Sequence, residues 1–227
     1  MSSQPGAALR RNRSLSRPFV IGLTGTIAAG KSTVAHLLAE RGARVIDADL
    51  VYRSLLAPGS ALSRAITDRF GAEVIADDGS IDRGALGKIV FADAASLADL
   101  DAITHPAVLT AIREAVTAAP EPVVVIEAIK LVSSGLHEDV DSLWEVSARK
   151  DVRLARLMDR SGLSEMEAEA RIQAFPEPIA AGTPVQVRID NSGSREETAR
   201  QVDRAWRSLG LEHVVSLRRN GVHEEIG

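Results

Sequence analysis

Short apolar runs rich in β-branched residues alternate along the chain with stretches of helical periodicity. Short strands separated by helices are typical of a parallel sheet covered by helices. The pattern therefore predicts an α/β fold of three layers built around a parallel sheet. A helix over 195–209 is predicted after the last run, because Ser194 and Glu197 have the spacing of a capping box. The five predicted strands are 18–23, 43–46, 122–126, 142–147 and 185–189.

A glycine-containing segment directly after the first predicted strand fits the pattern G-x-x-x-x-G-K-[ST]. The backbone amides of such a loop wrap a polyphosphate, while its lysine reaches the outer phosphates and its hydroxyl ligates Mg²⁺. A helix predicted over 32–40, ending before Gly42, would aim its N-terminus at the anion. The alternative is a strand-to-helix turn in which the glycines serve geometry alone. The residues predicted to bind the nucleotide are Gly25, Ala28, Ala29, Gly30, Lys31, Ser32 and Thr33, with Ser32 as the metal ligand.

Composition narrows the class of protein. The chain has 227 residues, is 45% hydrophobic and carries a formal net charge of −4. This size allows one sizeable core with small inserted lobes, and the net charge gives no overall attraction to nucleic acid or anionic membranes. The sequence contains no cysteine, which excludes disulfides, thiol catalysis and cysteine-based zinc sites. No apolar stretch has membrane-spanning length, and the first residues hold no apolar segment for a secretory signal, so we expect a cytoplasmic protein without nucleic-acid or membrane partners. We also expect a monomer.

Two insertions between the predicted strands are too long for simple connections. The first contains helical segments at 60–70, with Ser60 as N-cap and Gly71 as stop, and at 107–118. The second is rich in arginine and is interrupted by prolines and glycine. The sequence therefore predicts a nucleotide-binding core over 18–50, 121–147 and 185–209, a helical acceptor lobe over 51–120, a helical lid over 148–184, a disordered leader over 1–17 and a C-terminal tail without a clear signal over 210–227.

Acidic residues end two of the predicted strands, where ligands bind in parallel sheets. Asp47 and Asp49 follow the second strand. They could orient Mg²⁺ or take a proton from an attacking hydroxyl, or they could form a turn and cap the next helix. Glu127 ends the third strand and either contacts the Mg²⁺ shell or is a solvated strand end.

Basic residues of the two insertions are further candidates. His105 precedes Pro106 at a predicted helix start, where it either lines an acceptor site or has no ligand. Arg153, Arg156 and Arg160 are spaced by three and four residues and could share one helix face. Such a run is usually solvated, but one arginine over a triphosphate would stabilise the charge of a transferring phosphoryl group.

Seven groups of residues match the pattern of one known family. They are 22–25 with 30–33, 45–49, 78–83, 86 with 89–91, 103–106, 156–160 and 189–191. Through them the chain resembles the dephospho-CoA kinases, the last enzymes of coenzyme A synthesis, from about residue 19 to residue 209. The groups at 78–83 and at 86 with 89–91 are the most specific, because general phosphate-loop kinases lack them.

The resemblance implies transfer of the γ-phosphoryl group of ATP to the ribose 3′-hydroxyl of dephospho-CoA, with Mg²⁺ as cofactor. Both substrates are small molecules. In the matching pattern Asp49 is the base, while Lys31 and Arg160 neutralise charge on the transferring group. Asn191 would lie near the adenine. The residues expected to bind the acceptor are Asp47, His105 and Glu127.

Several positions depart from the family pattern. Thr26 and Ala28 replace glycines of the loop, which would strain the backbone if those positions need positive φ. Segment 129–133 replaces the usual Pro-Leu-Leu and puts Lys130 into a predicted acceptor wall. Arg153 and Phe175 stand where lid glutamines are expected, and the basic and Ala-Asp residues expected before the last strand are absent from 176–186.

These departures keep two further hypotheses open. One is a related small-molecule kinase with another acceptor, such as a nucleoside monophosphate. The other is a nucleotide-binding protein that has lost turnover and acts as a sensor or partner.

Overall fold

A computed structural model describes residues 17–174, 179 and 182–221 of the chain. Residues 1–16 of the predicted leader, Phe175 and the end of the tail from 222 onward lie outside the described residues. The strands are β1 (Phe19–Gly25), β2 (Arg44–Asp47), β3 (Val123–Glu127), β4 (Ser142–Ser147) and β5 (Val187–Asp190). The helices are α1 (Lys31–Ala39), α2 (Ala48–Leu55), α3 (Ala61–Phe70), α4 (Arg83–Ala92), α5 (Ala94–Ala118), α6 (Lys150–Ser161), α7 (Glu165–Ala174), α8 (Arg195–Ser208) and α9 (Leu211–Gly221).

The five strands form one parallel sheet in the order β2-β3-β1-β4-β5, with helices flanking it. Strand β1 lies between β3 and β4, with Ile21 opposite both Val125 and Ser142. All seven residues of β1 are buried, which explains why this strand reads as a continuous apolar run. The predicted α/β fold with a parallel sheet is confirmed, and the carboxyl ends of these strands meet at one edge.

The core beside the sheet is mostly aliphatic, and its aromatic residues are Phe19, Trp144 and Trp206. Trp144 of β4 is fully buried, and its indole nitrogen donates to the Ser142 hydroxyl at 3.1 Å. Trp206 of α8 packs in the same cluster. The predicted capping box of Ser194 and Glu197 is present at the start of α8 and fixes where this helix begins.

The chain divides into two compact units, residues 1–45 with 116–227 and residues 46–115. The smaller unit begins at Ile46, so it contains Asp47 and Asp49, whereas the predicted core reached residue 50. Its own core centres on Ile66 and Val74, which are fully buried. The predicted cap of α3 is present, because the Ser60 hydroxyl accepts from the Ser63 amide at 3.0 Å. Helices α6 and α7 of the predicted lid belong to the larger unit.

The predicted helix start at Pro106 is wrong, since this proline lies inside α5. The helix begins at Ala94, after Asp93, whose carboxylate accepts from the Ser96 amide and hydroxyl at 2.8 and 2.7 Å. Proline removes one helical hydrogen bond, a local cost of about 3 kcal/mol. Ile103 and Ala107, on either side of Pro106, both pack against the core of the smaller unit and hold the helix together.

The tail also contains structure that the sequence did not signal. Helix α9 follows α8 after Gly210, whose φ of 68° suits a tight turn between helices. Leu211 is fully buried in the main core, and Val214 and Val215 pack against the same cluster. The part of the tail up to residue 221 is therefore an element of the larger unit.

Within the described ranges, none of the helices combines the length and apolar character that crossing a bilayer requires.

Candidate functional site

The predicted phosphate loop connects β1 to α1, and its two glycines are sterically required. A Cβ on Gly25 would lie 2.1 Å from the Val146 carbonyl oxygen, and one on Gly30 would lie 2.0 Å from Asn191 Nδ2. Gly30 also has a φ of 90°. Any side chain at either position would collide with a neighbouring group, which is why both glycines of the motif are present.

The side chain of Lys31 contacts the loop that precedes this residue. Its ammonium group donates to the carbonyl oxygens of Gly25 and Thr26 at 3.1 and 3.4 Å. Gly30 is the N-cap of α1 and makes no side-chain cap. The first amides of the helix and the lysine charge are thus next to one another, which is the arrangement that favours a polyphosphate anion.

The loop is strained at one of the two positions where this chain lacks an expected glycine. Ala28 has a φ of 59°, a conformation that costs an L-residue about 1–2 kcal/mol relative to its ordinary regions. Among the described residues it is the only non-glycine residue with positive φ. Thr26 has no such φ and is buried, so the expected strain is confirmed at Ala28 and absent at Thr26.

Ser32 and Glu127 bring two oxygen donors together beside the loop. The Ser32 hydroxyl donates to Glu127 Oε1 at 3.2 Å. Mg²⁺ in kinase sites usually takes one or two protein oxygens and completes its shell with water and substrate phosphates. The pair therefore has the donor chemistry that fits Mg²⁺, with Ser32 as the predicted ligand and Glu127 within reach of the same shell.

Arg156 of α6 contacts the phosphate loop. Its Nη1 donates to the carbonyl oxygens of Ala28 and Ala29 at 3.3 and 3.1 Å, and its Nη2 donates to the Asn191 carbonyl oxygen at 2.7 Å. Arg160 is exposed near the C-terminal end of α6. The spacing of the arginines does not separate the two residues, whereas the structure does, because Arg156 is half-buried and bonded to the loop and Arg160 is exposed.

Asn191 is buried against the loop, and its side chain is engaged at both ends. Nδ2 donates to the Ala29 carbonyl at 2.8 Å, and Oδ1 accepts from the Thr198 hydroxyl at 2.7 Å. Thr198 is fully buried on α8 and was not predicted as a site residue. The turn after β5 therefore holds the loop through the hydrogen bond between Asn191 and Ala29. Next to it, hydrogen bonds from the Ser192 hydroxyl and amide hold the pKa of Asp190 below its ordinary value.

In the smaller unit, Asp47 is the N-cap of α2. Its Oδ1 accepts from the backbone amides of Asp49 and Leu50 at 2.8 and 3.2 Å. Asp49 lies in the first turn of α2 with an exposed side chain. His105 is half-buried on α5. The capping role that the sequence offered as an alternative for Asp47 is thus present.

Segment 129–133, which replaces an expected Pro-Leu-Leu, is partly a core element. Leu131 is fully buried, and its Cδ2 lies 3.0 Å from the position of a Cβ on Gly22. Lys130 is exposed. Only part of this segment can therefore serve as a wall for a ligand.

One of the two most specific matching stretches, 78–83, has a local structural role. Asp78 Oδ1 accepts from the Ser80 amide and hydroxyl at 2.9 and 2.6 Å and closes a turn. Asp82 caps α4 by accepting from the amides of Gly84 and Ala85 at 2.8 and 3.0 Å. The stretch thus fixes the entry into α4.

The sequence profile described as dephospho-CoA kinase matches residues 19–197, which is most of the chain. The chain belongs to the dephospho-CoA kinase family. The resemblance predicted from the seven matching stretches is therefore confirmed.

Relatives within the dephospho-CoA kinase family align over most of their own length. A dephospho-CoA kinase of Geobacter metallireducens is 44% identical over 195 residues, covering 83% of this chain and 96% of the relative. One of Symbiobacterium thermophilum is 45% identical over 192 residues, covering 83% of this chain and 80% of the relative.

Solved structures agree with the fold. A crystal structure from Thermus thermophilus has a TM-score of 0.71 at 31% identity and covers 83% of this chain and 96% of its own. A dephospho-CoA kinase from Campylobacter jejuni has a TM-score of 0.57 at 23% identity, with 84% and 96% covered, and supports the fold alone.

Proposed function

We propose that this chain transfers the γ-phosphoryl group of ATP to the ribose 3′-hydroxyl of dephospho-CoA. The observation that carries the proposal is the match of residues 19–197 to the dephospho-CoA kinase family, which includes the phosphate loop. Relatives about 44% identical over most of the chain are named dephospho-CoA kinase, which supports this acceptor over a nucleoside monophosphate. The chain is thus a kinase of coenzyme A synthesis.

The donor half of the reaction is assigned to the larger unit. The loop amides and the Lys31 ammonium bind the triphosphate, since the loop joins a buried strand to an uncapped helix N-terminus. Ser32 would hold Mg²⁺, with Glu127 in or next to its shell, because their oxygens lie 3.2 Å apart. The bound ion supplies positive charge to the β- and γ-phosphates. Asn191 acts on the nucleotide through the Ala29 carbonyl that it holds.

The acceptor half is assigned to the smaller unit and to the predicted lid. Asp49 is the base that takes the proton of the 3′-hydroxyl, and its exposed carboxylate in the first turn of α2 supports this role. Asp47 holds that turn in place through its cap. His105 and Asp47 bind the acceptor, and Arg160 neutralises charge on the transferring group. We place the enzyme in the cytoplasm as a monomer.

The test is turnover by the purified protein with Mg·ATP and dephospho-CoA, measured beside a panel of nucleoside monophosphates. We expect 3′-phosphorylation of dephospho-CoA and no comparable rate with the other acceptors. Faster turnover of a nucleoside monophosphate would reassign the acceptor. ATP binding without turnover of any acceptor would favour a sensor or partner role.

The same assay tests the base. Asp49→Asn should lower kcat by about 10²–10⁴-fold with ATP binding retained, because general base catalysis contributes on that scale. Asp68→Asn, an exposed acid on α3 of the same unit, is the matched control and should keep the parental kcat. An unchanged kcat for Asp49→Asn would remove Asp49 from the mechanism.

A further inference from the structure

Arg156 attaches the phosphate loop to α6 through backbone carbonyls alone. One guanidinium nitrogen donates to the carbonyls of Ala28 and Ala29, and another donates to the carbonyl of Asn191. The Ala29 carbonyl also accepts from the Asn191 side-chain amide at 2.8 Å. A single side chain therefore joins the loop, the turn after β5 and the helix α6.

The direction of these carbonyls determines which way the loop amides point. A peptide unit is planar and trans, so its N–H points opposite to its carbonyl. No cis peptide bond occurs in the described chain. Because the Ala29 carbonyl is turned toward Arg156 and Asn191, the N–H of Gly30 is turned to the other side of the loop. Arg156 thus sets the direction of an amide at the N-terminus of α1, where an anion would bind.

Side chains of the loop are attached to the same helix pair. Ile27 and Ala28 pack against the apolar cluster formed by Leu157 of α6 and by Ala168 and Ile172 of α7. An ion pair of 2.9 Å between Lys150 and Glu169 joins the two helices. The strained residue Ala28 is thus held on two sides, by the Arg156 bond to its carbonyl and by the contacts of its methyl group.

We propose that Arg156 is a positioning residue for the donor nucleotide, which fixes the phosphate loop in its anion-binding conformation and couples it to α6 and α7. The inference rests on the proposed binding of ATP at this loop. Its specific content is that Arg156 acts through the carbonyls of Ala28 and Ala29 rather than by touching phosphate.

A lysine cannot replace this contact. Guanidinium is a planar fork that reaches several acceptors in fixed directions, whereas an ammonium on a flexible stem is a point charge. Arg156→Lys keeps the positive charge and loses the bridge between the loop and the Asn191 carbonyl. Arg171→Lys, on the exposed face of α7, is the matched control for the same chemical change.

The experiment combines calorimetric binding of Mg·ATP with steady-state kinetics. We expect Arg156→Lys to raise the Kd and the KM for ATP about tenfold, the effect of losing one charge-assisted hydrogen bond. We also expect an unchanged KM for dephospho-CoA and a smaller change in kcat. Arg171→Lys should match the parent protein. An Arg156→Lys variant that binds ATP within about twofold of the parent would overturn the inference.

A double-mutant cycle with Ala28→Gly separates positioning from direct phosphate contact. Glycine removes the backbone strain and the methyl contacts at position 28, so the contribution of Arg156 to the loop conformation should change. The effects of the two substitutions on the ATP Kd should then be non-additive by about fivefold or more. Additive effects would indicate direct contact with phosphate and overturn the inference. A parent protein that binds ATP but does not turn over dephospho-CoA would instead count against the proposed function, because the binding readout needs no acceptor.

Discussion

The side-chain amide of Asn191 donates to the Ala29 carbonyl over 2.8 Å, which ties the turn after β5 to the phosphate loop. Asn191 is buried and its Oδ1 accepts from Thr198, so the orientation of its amide is fixed by both partners. A Cβ at Gly30 would lie 2.0 Å from Asn191 Nδ2. The hydrogen bond between Asn191 and Ala29 thus helps to fix the shape of the loop. The position of the Asn191 side chain explains why residue 30 is a glycine.

Asn191→Asp replaces the donor nitrogen with a second acceptor facing the Ala29 carbonyl. We expect the free energy of unfolding to fall by about 1–3 kcal/mol, the cost of leaving buried polar groups unpaired. We also expect a raised KM for ATP, because the loop loses its support. Thermal unfolding and initial rates check both effects. Parental stability together with parental ATP affinity would show that this hydrogen bond does not hold the loop.

The oxygen pair of Ser32 and Glu127 makes a prediction for Mg²⁺. Ser32→Ala removes the hydroxyl, whereas Ser32→Thr keeps it at the same position. We expect Ser32→Ala to need a higher Mg²⁺ concentration for half-maximal rate, and Ser32→Thr to stay near the parental requirement, because the proposed function makes the hydroxyl a direct ligand. A Mg²⁺ titration of the initial rate at saturating ATP measures this. An unchanged Mg²⁺ requirement in Ser32→Ala would contradict the assignment.

The dual position of Asp47 gives a third prediction. Its Oδ1 caps α2, and asparagine caps a helix as well as aspartate does. We expect Asp47→Ala to lower the free energy of unfolding by about 1 kcal/mol, while Asp47→Asn keeps the parental value. Denaturant unfolding of the three proteins separates the cases. If Asp47→Asn and Asp47→Ala lost equal stability, the charge rather than the cap would be what α2 requires.

The sheet and the phosphate loop could be predicted from the sequence because their signals are local. Strand β4 was predicted at its observed bounds, and the other strands lay within three residues of theirs. The loop is a contiguous motif that its own residue spacing reveals, although the groups that exclude a Cβ at its glycines, the Val146 carbonyl and the Asn191 side chain, are distant in the chain. Caps at Ser60 and Ser194 were equally readable, since each depends on residues within three positions.

The parts that sequence reasoning missed depend on contacts between distant segments. Pro106 looks like a helix start, and only its neighbours in the core of the smaller unit show that α5 continues through it. Arg156 and Arg160 are arginines on the same helix. Only the folded chain shows that Arg156 contacts the loop at Ala29, which is 127 positions away along the sequence. Local spacing carries no information on such pairings.

A pH prediction follows from the N-cap of α5. Hydrogen bonds from the Ser96 hydroxyl and amide hold the pKa of Asp93 below its ordinary value, so the ionised carboxylate is the form that the folded state favours. This contribution to stability is fully present above the unfolded pKa of about 3.9 and is lost as the pH falls through the lower folded value. Ser96→Ala removes the largest cause of the shift.

Melting temperatures of the parent and of Ser96→Ala between pH 7 and pH 2 measure this contribution. We expect the parent to be more stable at pH 7 and the difference to shrink as the pH falls through the titration range of Asp93. Ser208→Ala removes an exposed hydroxyl that donates to the Ala205 carbonyl, and its difference from the parent should not follow that titration. A Ser96→Ala difference that grew with acidity would reverse the assigned sign.

Helix α9 packs into the main core although its sequence has no clear signal for a helix, and its contribution to stability can be tested. Leu211 is fully buried there, whereas His213 on the same helix is exposed. We expect Leu211→Ala to lower the free energy of unfolding by about 2–5 kcal/mol, the usual cost of removing a buried leucine side chain. His213→Ala should stay within about 0.5 kcal/mol of the parent, as exposed substitutions usually do. Denaturant unfolding compares the two variants directly. Equal stabilities would mean that α9 does not pack on the sheet and that the larger unit ends with α8.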